Sequence, residues 1–153
     1  MVSDQYKFRN IAIYSSLNDK KIVAIANQVI EVLTNLGIKC LYPSSSKVTK
    51  SISKRGIADR TIIDKSDLVI AIGGDGTLLS SARNFGIHGI PILGINLGNL
   101  GFLTDIAPSS ITTDLKKVVN GDFIEDKRIF LEAKLDGEKT CLLYTSPSPR
   151  DKR

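Results

Sequence analysis

Three glycines around one acid, Gly73-Gly74-Asp75-Gly76-Thr77, are the residues of this 153-residue sequence best suited to chemistry. Glycines let a backbone approach another group with no side chain in the way. The turn follows the apolar run Leu68-Val69-Ile70-Ala71-Ile72 and precedes Leu78, Leu79, Ala82 and Phe85, which share one helix face. That order predicts a buried strand, a glycine turn and a helix start, whose N–H groups suit a phosphate. Asp75 is the odd member. A carboxylate beside a polyphosphate repels it, so the acid fits better as a proton acceptor, or as a group that meets a metal or a hydroxyl. The plainer alternative is a tight turn capped by Asp75 or Thr77. No Gly-Lys-Ser/Thr follows, so this is not a P-loop. Leu79 stands where the dinucleotide fingerprint G-x-G-x-x-G has its third glycine.

A second stretch, Gly94-Ile95-Asn96-Leu97-Gly98-Asn99-Leu100-Gly101-Phe102-Leu103-Thr104-Asp105, sets two amides and a phenylalanine among glycines. Asn96 and Asn99 suit sugar hydroxyls or their own turn. Phe102 suits a planar ring or the core. Together they suggest a glycine-rich loop opposite the first.

The elements that must position these loops are legible in the apolar spacing. Ile11 to Tyr14 is expected as a first strand. A helix from Lys20 to Leu36, capped by Asn18 or Asp19, carries Ile22, Ile25, Ala26, Val29, Ile30, Leu33 and Leu36 in a 3.6-residue stripe and ends at Gly37. Ile38 to Tyr42 is a second strand. Ser44 to Arg60 is polar and is expected as a long surface loop, or a mobile lid over phosphates using Lys47, Lys50, Lys54 or Arg55. Asp64 to Asp67 leads into the central strand. After the glycine turn come a helix over Leu78 to Phe85, a strand over Ile90 to Ile95, and a helix opened by Pro108-Ser109-Ser110 with Ile111, Leu115, Val118 and Val119 on one side. Phe123 to Leu135 alternates as a strand. Strands alternating with helices predict an α/β fold, a Rossmann-like parallel sheet with helices on both faces. Ligands of such folds sit at the C-terminal strand ends, where both glycine-rich loops fall.

The totals narrow the classes. Net charge is +5, of which residues 150–153 contribute +2; the rest is spread out, and no basic stripe interleaved with aromatics indicates nucleic acid. No apolar run approaches the ~20 residues of a membrane helix, and no secretory h-region follows Met1. The cytoplasm is the expected location. Cys40 and Cys141 have neither metal nor disulfide spacing. His88, in Gly86-Ile87-His88-Gly89, is expected exposed and away from the ligand end.

Gly-Gly-Asp-Gly-Thr followed by Gly-Ile-Asn-x-Gly-x-Leu-Gly-Phe-Leu-Thr-Asp resembles the bacterial NAD kinase family, over roughly residues 8 to 140. Ile124 to Glu132 is similar to that family's passage into its second domain. Diacylglycerol-kinase-like lipid kinases share the first motif, but not the second. The resemblance implies transfer of a phosphoryl group from ATP to the 2′-hydroxyl of the adenosine ribose of NAD, giving NADP. It implies Asp75 as the acid that takes the hydroxyl proton; Gly73, Gly74, Gly76 and Thr77 along the phosphates; and Asp75, Gly76, Phe102 and Asn96 toward NAD. It also implies a divalent metal, Mg²⁺, held by phosphate oxygens rather than by a protein cage, and a homo-oligomer. A lipid kinase and a non-catalytic nucleotide-binding module are the alternatives.

The expected organisation is an α/β nucleotide-binding domain over residues 8–126, the truncated start of a β-rich domain over 127–140, and a non-native or disordered tail over 141–153. On that expectation the strand ending at Leu135 has no sheet to join, and the chain is an N-terminal fragment with little activity alone.

Overall fold

The computed structural model describes residues 7–98, 106–135 and 138–144. They form two compact units, divided between Phe123 and Ile124, slightly before the boundary expected at 126.

In the first unit, four strands make a wholly parallel sheet. They are β1 (Asn10–Tyr14), β2 (Lys39–Leu41), β3 (Leu68–Ile72) and β4 (Ile92–Ile95), in the order β2-β1-β3-β4. The register places Ile11 beside both Cys40 and Leu68, and Ala71 beside Gly94. Among the described residues, five α-helices connect or flank the strands: α1 (Lys20–Asn35), α2 (Val48–Ser51), α3 (Asp59–Lys65), α4 (Asp75–Asn84) and α5 (Ile111–Val119). The alternation of strand side chains divides the core in two. Ile11, Ile13, Ile70, Ile72 and Ile95 point to the face covered by α1 and α5. Ala12, Tyr14, Val69 and Ala71 point to the opposite face, with Ile62 of α3 and Leu78 of α4. Both faces are therefore covered, which is why β3 reads as an unbroken apolar run.

Helix α1 shows how local sequence fixes an element. Asp19 caps it, its carboxylate accepting from the Ile22 N–H at 2.9 Å. Ile22, Ile25, Ala26, Val29 and Leu33 are its buried stripe; Ile30 and Leu36 lie half-buried at the margin. It ends on Gly37 at φ 77°, with the Gly37 N–H donating to Thr34 O and the Ile38 N–H to Leu33 O. Those two bonds are a Schellman closure.

The segment from Ser44 to Arg60 departs from the surface loop expected of it. Its middle forms α2, and Ser46, Val48, Thr49 and Ile52 are buried. The hydroxyls carry their own acceptors into the interior: Thr49 Oγ1 donates to Pro43 O at 2.9 Å. Asp59 to Lys65 is likewise helical, as α3, and Ile62 is wholly buried. Helix α4 begins at Asp75 rather than at Leu78, so the motif's acid and its last two residues are already helical.

The second unit contains β5 (Phe130–Leu135) and β6 (Glu138–Tyr144), paired antiparallel with Phe130 opposite Tyr144. β5 starts well after the Phe123 expected for it. β6 supplies the partner that the sequence did not show, and it takes in residues 141–144 of the expected tail. Residues 145–153 lie outside the described residues.

Candidate functional site at the strand ends

From β1 the chain turns toward β2, and from β3 toward β4. The loops after β1 and β3 therefore diverge, and a crevice opens between them, at the point where doubly wound sheets bind ligands. One wall is the glycine turn. The other is the loop Ser15 to Asp19, in which only Asn18 and Asp19 stood out in the sequence, as helix caps.

Gly73 is buried and its backbone lies at φ 154°. A methyl group there would meet the Thr77 hydroxyl head-on and the Thr77 Cβ at 2.8 Å. Its N–H donates to Ile95 O at 2.9 Å, which ties the turn to the end of β4. Gly74 caps α4, its carbonyl accepting from the Leu78 N–H at 3.2 Å. Gly74 and Gly76 are both exposed, with nothing within 4 Å of where a side chain would begin. They form the open face of the turn, and half-buried Asp75 stands between them on the first turn of α4. A helix N-terminus carries partial positive charge, so it accommodates both this carboxylate and an incoming phosphate oxygen.

Thr77 closes the motif on its buried side. It is 3 % exposed, wedged against Gly73, and its Oγ1 lies 2.7 Å from Ser16 Oγ across the crevice. Ser15, with no exposed surface, holds the far wall in place. Its hydroxyl donates to Ile72 O at 2.7 Å and accepts from the Leu17 N–H at 3.1 Å. Its N–H donates to Ser46 Oγ at 3.0 Å, and its carbonyl accepts from the Lys47 N–H at 2.9 Å. The basic segment, for which a mobile lid was the alternative to a surface loop, is thus fastened to Ser15, directly after β1. Lys47, Lys50, Lys54 and Arg55 are exposed on it, with the Lys54 ammonium 5.6 Å from the Tyr42 ring centre. The signal for Ser15 and Ser16 was their place directly after a buried strand, where a polar pair must be either solvated or hydrogen-bonded.

In the second loop, Asn96 is 2 % exposed. Its side-chain oxygen accepts from the Gly98 N–H at 2.8 Å and its own N–H donates to Ile106 O at 2.9 Å. It therefore caps its own turn. Gly98, at φ 113°, has the Lys21 ammonium 3.5 Å from where its Cβ would stand, so the start of α1 approaches this loop. Phe102 and Asn99, named from the sequence, lie outside the described residues. His88 is exposed in the short turn after α4, at the opposite end of the sheet. Among the described residues, no group of three or more His, Cys, Asp or Glu could hold a metal ion, and no helix is long and apolar enough to cross a membrane.

Residues 8–123 match the family model of the ATP-NAD kinase N-terminal domain. The NAD kinase of Marinobacter nauticus is 36 % identical over 141 residues, which are 92 % of this chain and 48 % of that protein. The NAD kinase of Geotalea daltonii is 38 % identical over 128 residues, 83 % of this chain and 44 % of that protein. The chain spans about half the length of the curated relatives it matches. Two solved structures share the fold. Yeast NADH kinase complexed with NADH superposes with a TM-score of 0.67 at 17 % identity, covering 94 % of this chain and 53 % of that one. An NAD kinase from Archaeoglobus fulgidus in complex with ATP gives 0.56 at 21 % identity, covering 85 % and 45 %. A family match that runs from Phe8 at the head of β1 to Phe123 at the close of the first unit takes in both glycine-rich loops, and on it this chain belongs to the NAD kinase family.

Proposed function

We propose that this chain supplies the nucleotide-binding part of an enzyme that phosphorylates the 2′-hydroxyl of the adenosine ribose of NAD from ATP, giving NADP. The observation that carries the proposal is the position of Asp75. It stands on the first turn of α4, between two glycines whose faces are open, at the mouth of the crevice between β1 and β3.

The chemistry follows from that placement. The open face at Gly74 and Gly76 lets phosphoryl oxygens approach the backbone. The Asp75 carboxylate takes the proton of the ribose hydroxyl as its oxygen attacks the γ-phosphorus. The bond from that phosphorus to the β,γ-bridging oxygen breaks, and ADP leaves. Such a transfer needs mostly positioning and charge stabilisation. The metal enters as part of the substrate: among the described residues the donor set has one carboxylate and no cluster, so Mg²⁺ would ride on the phosphate oxygens of ATP. It would offset the repulsion between Asp75 and those oxygens. Asn96 would serve NAD by holding the second loop in shape, and Phe102 by facing the adenine. The enzyme would work in the cytoplasm as a homo-oligomer. The lipid-kinase alternative shares only the first motif, and the relatives named above are NAD kinases.

Asp75→Asn tests the proposal in the enzyme that carries this chain. Removing a positioned general base lowers kcat by roughly 10²–10⁴, and KM for NAD should stay within a few-fold. NADP formation followed at saturating ATP and NAD gives both constants. Turnover within a few-fold of the unchanged enzyme would remove Asp75 from the mechanism.

A further inference from the structure

A hydrogen bond joins the two walls of the crevice, Ser16 Oγ to Thr77 Oγ1 at 2.7 Å. Thr77 is 3 % exposed, whereas Ser16 is half-buried at the mouth. Each hydroxyl has one proton and two lone pairs. If Thr77 donates to Ser16, the Ser16 proton is left to point into the crevice. If an anionic oxygen sits there, the order Thr77 to Ser16 to anion gives every proton an acceptor and uses the exposed hydroxyl for the ligand. Ser16 is also held ready. Ser15, wholly buried, anchors the loop on Ile72 O at 2.7 Å, and the next amide, Leu17, is committed to Ser15 Oγ at 3.1 Å. On the glycine turn, Gly74 and Gly76 have nothing within 4 Å of where a side chain would begin, and the turn has no lysine of its own. A donor from the β1 wall supplies what the turn lacks.

We propose that Ser16 is a ligand-contacting residue of this site: its hydroxyl donates to a phosphoryl oxygen of the bound nucleotide, and buried Thr77 fixes its direction from behind. This rests on the nucleotide-binding function proposed above, and it adds a contact from the loop after β1 that neither glycine motif contains.

Calorimetric titration of the 153-residue chain with ATP and with adenosine, beside Ser16→Ala and Ser16→Thr, tests it. A hydrogen bond to a charged group corresponds to roughly tenfold or more in affinity. Ser16→Ala should therefore weaken ATP about tenfold or more and leave adenosine unchanged. Ser16→Thr, which keeps the hydroxyl, should bind ATP within about threefold of the original. If Ser16→Ala does not keep the native circular dichroism and urea midpoint, Ser16→Cys, similar in shape and a weak donor, takes its place with the same expectation. ATP affinity unchanged in that variant overturns the role of Ser16 and leaves the nucleotide site standing. Equal losses for ATP and adenosine also overturn it, because they mark a purely structural residue. An unchanged chain that binds no ATP overturns the nucleotide site, and this contact with it.

Discussion

Gly73→Ala is the sharpest test of how the turn is built. At φ 154° an alanine sits in a region that is nearly glycine's alone, which costs ~1–3 kcal/mol. The added methyl also meets Thr77, whose Cβ lies 2.8 Å away and whose hydroxyl is nearer still. Thr77 has nowhere to go, being 3 % exposed and bonded to Ser16 at 2.7 Å. Overpacking of that kind costs a further ~1–3 kcal/mol. The sum is about 4 kcal/mol, a large share of the ~5–15 kcal/mol that holds an average domain together. With a urea m-value of ~2 kcal/mol per M, the midpoint should fall by about 2 M. Gly76→Ala is the internal control. It adds the same methyl on the next turn, into space with nothing within 4 Å, at a helical position. It should be neutral or gain up to ~1 kcal/mol. The double variant Gly73→Ala with Thr77→Ala should destabilise by ~1–2 kcal/mol less than the sum of the single changes, since the clashing hydroxyl is gone. Urea unfolding followed by circular dichroism measures the unchanged chain, Gly73→Ala, Gly76→Ala, Thr77→Ala and the double variant. A Gly73→Ala midpoint equal to that of the unchanged chain, or an equal fall in Gly76→Ala, would refute the steric account.

Two further outcomes are expected. Asp19→Ala removes the cap of α1, whose carboxylate accepts from the Ile22 N–H at 2.9 Å. It should lower stability by about 1 kcal/mol in thermal unfolding, with Asp19→Asn restoring most of it. The Cys40 thiol is pushed up from 9.0 to about 11, chiefly by burial. The folded chain then holds that proton where the unfolded chain has lost it, so the associated stability is complete below pH 9.0 and is lost as pH rises toward about 11. The loss should be on the order of 1–3 kcal/mol. Burial pushes Tyr42 up as well, to about 12, so its part of the decline comes at higher pH. Urea midpoints across that window should fall for the unchanged chain and fall less for Cys40→Ala; a flat profile in both would contradict the burial argument.

Elements whose signal is local were legible in the sequence. β3 is covered on both faces, and its five apolar residues set its bounds unaided. α1 declares itself through a cap, a stripe and a glycine stop. The segment from Ser44 to Arg60 was not legible, because its burial depends on distant partners. Buried Ser46 is met by Ser15, directly after β1, and buried Thr49 by the Pro43 carbonyl. Polar composition alone predicts solvent for both. At the site, the sequence showed that Gly73 to Thr77 was a turn of interest, but not that its members differ in task. Gly74 and Gly76 are open, Gly73 and Thr77 are locked together, and the partner of that lock is a serine in the loop after β1. Side-chain hydroxyls leave no periodic trace, so only the register of β1 beside β3 reveals the pairing.

The way the second loop leaves and rejoins the sheet has a further consequence. The chain departs at Ile95 and is paired with it again at Ile106, through the Asn96 N–H on Ile106 O and the Ile106 N–H on Gly94 O, both at 2.9 Å. The excursion between them is closed at its base like a purse-string. Closure at that base depends little on loop length: a twofold lengthening costs only ~0.6 kcal/mol. Insertions between Gly98 and Ile106 should therefore leave β4 in place. Within one scaffold, the glycine turn is locked by Gly73 against Thr77, whereas a loop closed at Ile95 and Ile106 is free to vary in length.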